Sequence, residues 1–132
     1  MSLAVVADED DRPAVADLLG RAARIAAVAR ERALETEQAR RVSADLVAEM
    51  RDADLFRILQ PKRFGGYEYG FDVFVEAVAT VASGDGSTGW VYSLGAVHQW
   101  LIGCFPEEAQ QEVWSTNRDA ISAVSYAPTG SS

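Results

Sequence analysis

A long apolar stripe in the first quarter of the chain constrains the fold more than any other feature. Apolar residues recur there at steps of three and four, the spacing of one face of an α-helix. The stripe consists of Val15, Leu18, Leu19, Ala22, Ile25, Ala26, Ala29 and Ala33. We predict a helix that begins near Arg12, with Pro13 in its first turn, where the missing N–H costs nothing. The many alanines allow a second helix to approach closely.

Four further helices are predicted from the same kind of spacing. They cover residues 43 to about 52, 71–83, 87 to about 103, and 107 to about 114. Ser43 is an expected N-cap, as is Ser87 or Thr88 for the helix after the Gly84–Gly86 break. Asp85, between two glycines, is interpreted as a cap and not as a general base. The helix of 87–103 is apolar on most sides, which is typical of a helix at the centre of its domain.

Between the predicted helices of residues 43–52 and 71–83 the pattern is irregular. The apolar run of residues 55–59 is too short for an independent helix and is interpreted as extended. Pro61, the Gly65-Gly66 pair and Gly70 then predict a loop. This loop lacks the spacing of a phosphate-binding motif, so a packed turn between helices is the favoured interpretation.

The end of the chain changes character. Residues 120–126 alternate small or polar with apolar residues, which predicts a strand. One strand in an otherwise helical chain has no partner for its ladder, so a sheet beyond residue 132 is expected. The predicted fold class is therefore mainly α. Its predicted parts are a disordered acidic tail (1–11), a helical domain (12–118) and the first strand of a truncated middle β-domain (119–132).

Composition excludes several classes of partner. The formal net charge is −8, and such a surface repels nucleic acid and anionic membranes. The single cysteine, Cys104, permits no intrachain disulfide and is expected to be a buried thiol in a cytoplasmic protein.

His98 and Trp90 are the residues from which chemistry could be built. They are eight residues apart, which places them roughly on one face of the predicted helix. His98 is either a core histidine satisfied by a polar partner or a pocket residue that meets a substrate, and the spacing leaves both open. Trp100 and Trp114 are interpreted as packing residues. One histidine without clustered cysteines or acids makes no metal site.

Four motifs, in order, resemble the acyl-CoA dehydrogenase superfamily, and specifically the oxygenase components of two-component flavin monooxygenases. They are Leu55–Tyr67, Gly84–Trp90 followed by His98, Phe105–Gln110, and Ala127–Gly130. The resemblance implies an N-terminal helical domain, a middle β-domain, a C-terminal helical bundle and a homotetramer. It covers only the N-terminal part of such a protein, so the 132-residue chain is expected to be inactive alone.

The resemblance also implies an activity and its residues. A separate reductase would supply reduced FMN or FAD, O2 would form a flavin C4a-hydroperoxide, and a phenol-like aromatic substrate would be hydroxylated. His98 matches a histidine that contacts the phenol, with Trp90 as a pocket wall. Ser125 matches a position that reaches substrate and flavin, and Tyr126 and Thr129 would follow the flavin edge.

Two alternatives remain open at this point. An acyl-CoA dehydrogenase, which desaturates acyl thioesters with a flavin, shares the fold but needs a catalytic carboxylate from another part of the protein. A non-catalytic helical interaction module is the third possibility.

Overall fold

A computed structural model of the chain describes residues 11–124 and residue 127. The predicted acidic tail, apart from Asp11, and the predicted site residues Ser125, Tyr126 and Thr129 lie outside these residues. The described part is helical, as predicted. Its α-helices are α1 (Val15–Glu31), α2 (Ala33–Ala39), α3 (Ala44–Asp52), α4 (Phe71–Ala82), α5 (Gly86–Gly103) and α6 (Glu107–Trp114). Two 3-10 helices, Leu55–Arg57 and Lys62–Phe64, lie between α3 and α4.

The core is formed where α4 packs against both α1 and α5. The predicted stripe of α1 does face this core, through Leu18, Ala22, Ile25, Ala26 and Ala29. The helix stops two residues before the end of the stripe, because the chain leaves helical geometry at Arg32 before α2 begins. The alternation of apolar and charged faces therefore identified the buried side of α1 correctly.

Helices α3 and α5 begin at residues whose side chains cap them, whereas α1 begins at Val15 without such a cap and Pro13 lies before its first turn. Ser43 caps α3 as predicted, accepting a hydrogen bond from the N–H of Leu46 at 3.2 Å. The predicted cap of α5 was wrong by two or three residues, because Asp85 is the N-cap. Its carboxylate accepts from the backbone N–H of Thr88 at 2.8 Å and from the Thr88 hydroxyl at 2.7 Å. This double contact confirms Asp85 as a cap.

The connection between α3 and α4 folds back on itself. Its first turn is 3-10 helical at Leu55–Arg57, so the extended interpretation was wrong. The backbone of Tyr67 then donates to the Arg57 carbonyl at 2.8 Å, and that of Glu68 to the Gln60 carbonyl at 3.0 Å. A Cβ atom on Gly66 would lie 1.9 Å from the Gln60 carbonyl oxygen, so this return requires glycine. The Gly-Gly loop is a packed turn, as favoured.

The segment after α6 runs along α5. It starts with a turn in which the Asn117 carbonyl accepts from the N–H of Ala120 at 3.2 Å and the Asn117 side chain accepts from that of Asp119 at 3.0 Å. Residues 120–124 were predicted as a strand but form none, because the described part of the chain contains no second strand to pair with them. Whether this segment opens a β-domain remains a prediction.

Cys104 is exposed, and the expectation of a buried thiol was wrong because the residue stands just past the last turn of α5. Within residues 11–124, no helix is both long and apolar enough to cross a membrane.

Candidate functional site

A small apolar concavity lies between α5 and the segment 121–124. Its volume is about 280 Å³. Its lining residues come from these two pieces of chain and are Val91, Leu94, Gly95, His98, Ile121, Ser122, Ala123 and Val124. Gly95 leaves room for the ring of Phe56, since a Cβ atom there would lie 2.6 Å from it, whereas the Ile121 side chain at 3.4 Å would be in ordinary contact. The lining supplied by the described residues contains no charged side chain.

His98 is the polar centre of this concavity. The side chain is buried, with 5% of its surface exposed, and Nδ1 lies 2.9 Å from the carbonyl oxygen of Ser122. A carbonyl can only accept a hydrogen bond, so Nδ1 must carry the proton. In the neutral imidazole, Nε2 then has an unshared electron pair. Among the described residues Nε2 has no hydrogen-bond partner.

The two open interpretations of His98 therefore coexist in one residue. Nδ1 is satisfied by a backbone carbonyl, as in a core histidine, while the ring also lines a concavity. The imidazole lies on the side of α5 along which residues 120–124 run. This arrangement can accept a hydrogen bond from a small apolar molecule that carries an O–H or N–H group.

Trp90 does not share this concavity. Its indole is 67% exposed and lines a separate hollow of about 530 Å³, together with Arg40, Arg41 and the first residues of α5. Eight residues turn a helix through about 800°, which leaves the two side chains roughly 80° apart. The structure thus separates Trp90 from His98, although Val91 borders both hollows. Trp90 as a wall of the substrate pocket remains a prediction.

The other two tryptophans differ in burial. Trp114 is fully buried and packs against Phe64 with ring centroids 5.2 Å apart, as expected of a packing residue. Trp100 is 44% exposed and meets Phe71 edge to face at 5.2 Å. Both rings contribute to packing, but only that of Trp114 lies in the interior.

Gln60 and Gln99 contribute to the site and were missed from the sequence. Gln99 donates to the Ala120 carbonyl and Gln60 to the Arg118 carbonyl, both at 2.9 Å. Both side chains are 1% exposed. The position of Gln99 in an otherwise apolar helix was the available signal, because a buried amide must find partners.

Tyr92 lies on α5 close to these residues but is not a candidate acid or base. Burial raises the pKa of its phenol, and its hydroxyl donates to the Leu55 carbonyl at 3.0 Å. The group is fully buried and already engaged, so it stabilises the core.

Comparison with known proteins identifies the family. The family model described as the acyl-CoA dehydrogenase N-terminal domain matches residues 16–117. The chain belongs to this family. The resemblance seen in the sequence motifs is thereby confirmed.

Two relatives of the chain are oxygenase components of flavin-dependent enzymes. The oxygenase component of the FADH2-dependent resorcinol hydroxylase of Rhizobium sp. is 46% identical over 111 residues, which are 84% of this chain and 27% of the relative. The oxygenase subunit HsaA of a flavin-dependent monooxygenase of Rhodococcus jostii is 44% identical over 101 residues, covering 76% of this chain and 26% of the relative.

A solved structure shows the same arrangement of helices. The crystal structure of the 3-HSA hydroxylase of Rhodococcus sp. RHA1 superposes with a TM-score of 0.82 at 39% identity, over 85% of this chain and 29% of that one. The chain therefore spans about a quarter of the length of the curated relatives it matches.

Proposed function

We propose that this chain serves as the N-terminal helical domain of the oxygenase component of a two-component flavin monooxygenase that hydroxylates a phenol-like aromatic. The observation that carries the proposal is a buried His98 beside an apolar concavity of about 280 Å³, with an Nε2 that has no hydrogen-bond partner within residues 11–124. The hydroxylases among its relatives support it.

The concavity suits one aromatic ring. Val91, Leu94 and Val124 offer apolar contacts, and burial of a ring there would displace water. The phenol O–H would donate to Nε2 of His98. Partial transfer of that proton increases the electron density of the ring, which favours attack on an electrophilic oxygen atom. The role of this domain is thus to bind and orient the substrate.

The described residues do not make a flavin site by themselves. The concavity lies below the usual range of roughly 300–1,000 Å³ for ligand pockets, and its described lining has no cation to meet a phosphate. Ser125, Tyr126 and Thr129 are the proposed contacts to FMN or FAD. Reduced flavin from a separate reductase, with O2, would supply the oxygen atom and the two electrons that reduce its partner atom to water.

The proposed assembly is a cytoplasmic homotetramer. Large apolar side chains on and beside α4 and α5 support burial against further protein, and they are Phe71, Val75, Trp90, Leu94, Trp100 and Phe105. Sedimentation of the full-length protein encoded by the gene tests this. A monomer at micromolar concentration would contradict it.

The activity is tested on the same full-length protein. With FMN or FAD reduced by a separate reductase, and with oxygen, it should convert simple phenols such as resorcinol to products with one more hydroxyl group. His98→Asn is the matched variant, because the Asn amide nitrogen is attached to Cγ as Nδ1 is and can still donate to Ser122. It should fold normally and lose hydroxylation by at least about 100-fold.

Two results would contradict the proposal. No hydroxylated product from either flavin across a panel of phenols would favour the non-catalytic module. Full activity of the His98→Asn variant would show that Nε2 has no part in the reaction.

A further inference from the structure

Three side chains hold the segment after α6 by its backbone carbonyls, and Arg57 holds it in addition by an ion pair with the Asp119 side chain. Each of the three side chains donates to one backbone carbonyl of the segment, and the three acceptors are every second residue. All three donor–acceptor distances are 2.9 Å. The pairs are Gln60 with Arg118, Gln99 with Ala120, and His98 with Ser122. We call this set the carbonyl ladder.

Gln99 occupies its place in the ladder at an energetic cost. Nε2 of Gln99 binds the Ala120 carbonyl, while Oε1 is buried and has no partner among the described residues. The amide cannot be reversed, because two oxygens cannot share a hydrogen bond. A buried unpaired acceptor destabilises a fold, and an apolar side chain of the same length would avoid it. Packing therefore does not explain a glutamine here.

The register of the segment determines which group meets His98. In an extended chain the carbonyls of successive residues point to opposite sides, so a slip by one residue would turn the Ser122 carbonyl away from Nδ1. The Ala120 carbonyl is two residues upstream, on the same side, and accepts the nearest other hydrogen bond from α5 to the segment. The bond from Gln99 thus fixes the position of the Ser122 carbonyl.

We propose that Gln99 is a positioning residue, which through the segment 120–122 sets the tautomer of His98 with the proton on Nδ1 and the electron pair on Nε2. The cavity then presents an acceptor to its ligand and selects molecules that donate a hydrogen bond. The selection of ligands rests on the proposed function, whereas the tautomer is inferred from the hydrogen bonds to Ala120 and Ser122.

The tautomer can be measured directly, since His98 is the single histidine of the chain. The 132-residue protein, labelled with 15N-histidine, gives one imidazole in two-bond 1H–15N correlation spectra at alkaline pH, where the ring is neutral. Wild-type protein should show a protonated Nδ1. Gln99→Met, which keeps length without the amide, should shift the tautomer ratio toward protonated Nε2 by about fivefold, equivalent to about 1 kcal/mol.

Gln60→Met is the matched control. It removes the donor at the far end of the ladder, where the Asn117 turn also holds the chain, and should leave the tautomer ratio unchanged. Circular dichroism and thermal melting check that both variants fold.

Either of two results would overturn the proposal. One is a wild-type spectrum with the proton on Nε2, which needs no variant to interpret. The other is a folded Gln99→Met protein with the wild-type tautomer ratio. If the tautomer responds as expected but the full-length protein hydroxylates no phenol, the positioning role holds and the proposed function fails.

Discussion

Gly66→Ala, which adds a single methyl group to the loop before α4, should strongly lower the free energy of unfolding. The new Cβ would lie 1.9 Å from the Gln60 carbonyl oxygen and 2.2 Å from its carbon, whereas ordinary contacts begin at 3.4 Å. The loop must therefore retreat by about 1.5 Å, which breaks the return hydrogen bonds of Tyr67 and Glu68. Two such bonds and the local strain contribute about 4 kcal/mol, offset by about 1 kcal/mol from a stiffer unfolded chain.

The net loss of about 3 kcal/mol is measurable by urea unfolding of the 132-residue chain. With a slope near 2 kcal/mol per molar, the midpoint should fall by roughly 1.5 M. Gly86→Ala is the control, because a Cβ there meets no heavy atom within 4 Å and alanine favours the first turn of α5. A Gly66→Ala midpoint within about 0.3 M of wild type, at unchanged slope, would show that the loop tolerates the methyl group and refute the reasoning.

Substitutions at four other residues test the packing and capping. Tyr92→Phe should reduce the loss of stability above about pH 10. Burial raises the pKa of Tyr92, so the unfolded chain releases the phenol proton at a lower pH than the folded protein, which favours unfolding. If this is wrong, urea midpoints measured against pH would show the same decline in the variant and the wild type. Asp85→Ala should cost about 1 kcal/mol and Asp85→Asn much less, since Asn also caps; equal thermal shifts would contradict the capping role. Trp114→Ala should cost about 3–5 kcal/mol. Trp90→Ala, at an exposed site, should stay within about 0.5 kcal/mol, and comparable losses in chemical denaturation would refute the difference in burial.

Helix α1 could be predicted in detail because its two faces differ sharply in polarity. Helix α5 could not, since it is apolar on nearly every side. Its buried residues include Thr88, Tyr92 and Ala96, whereas Trp90 is 67% exposed. Where polarity does not distinguish the faces, only the partner helices decide which one is buried.

The site itself could be predicted only in part. The single His98 stood out by its type, and it does line a concavity. Its acceptor on Ser122 is 24 residues away, and the acceptor of Gln60 is 58 residues away. No local pattern records such pairs. The alternation in residues 120–124 indicated an extended chain, but a strand also needs a neighbour, which the local sequence cannot supply.

The carbonyl ladder has a consequence for how this site can vary between proteins. Every amino acid, proline included, has a main-chain carbonyl, so substitutions at Arg118, Ala120 or Ser122 leave the three acceptors in place. The three donors, in contrast, are side chains of the helical domain, and each depends on the residue type at its position. Substitutions in residues 118–122 can thus change the side chains beside the concavity without removing an acceptor, whereas substitution of Gln60, Gln99 or His98 removes a donor.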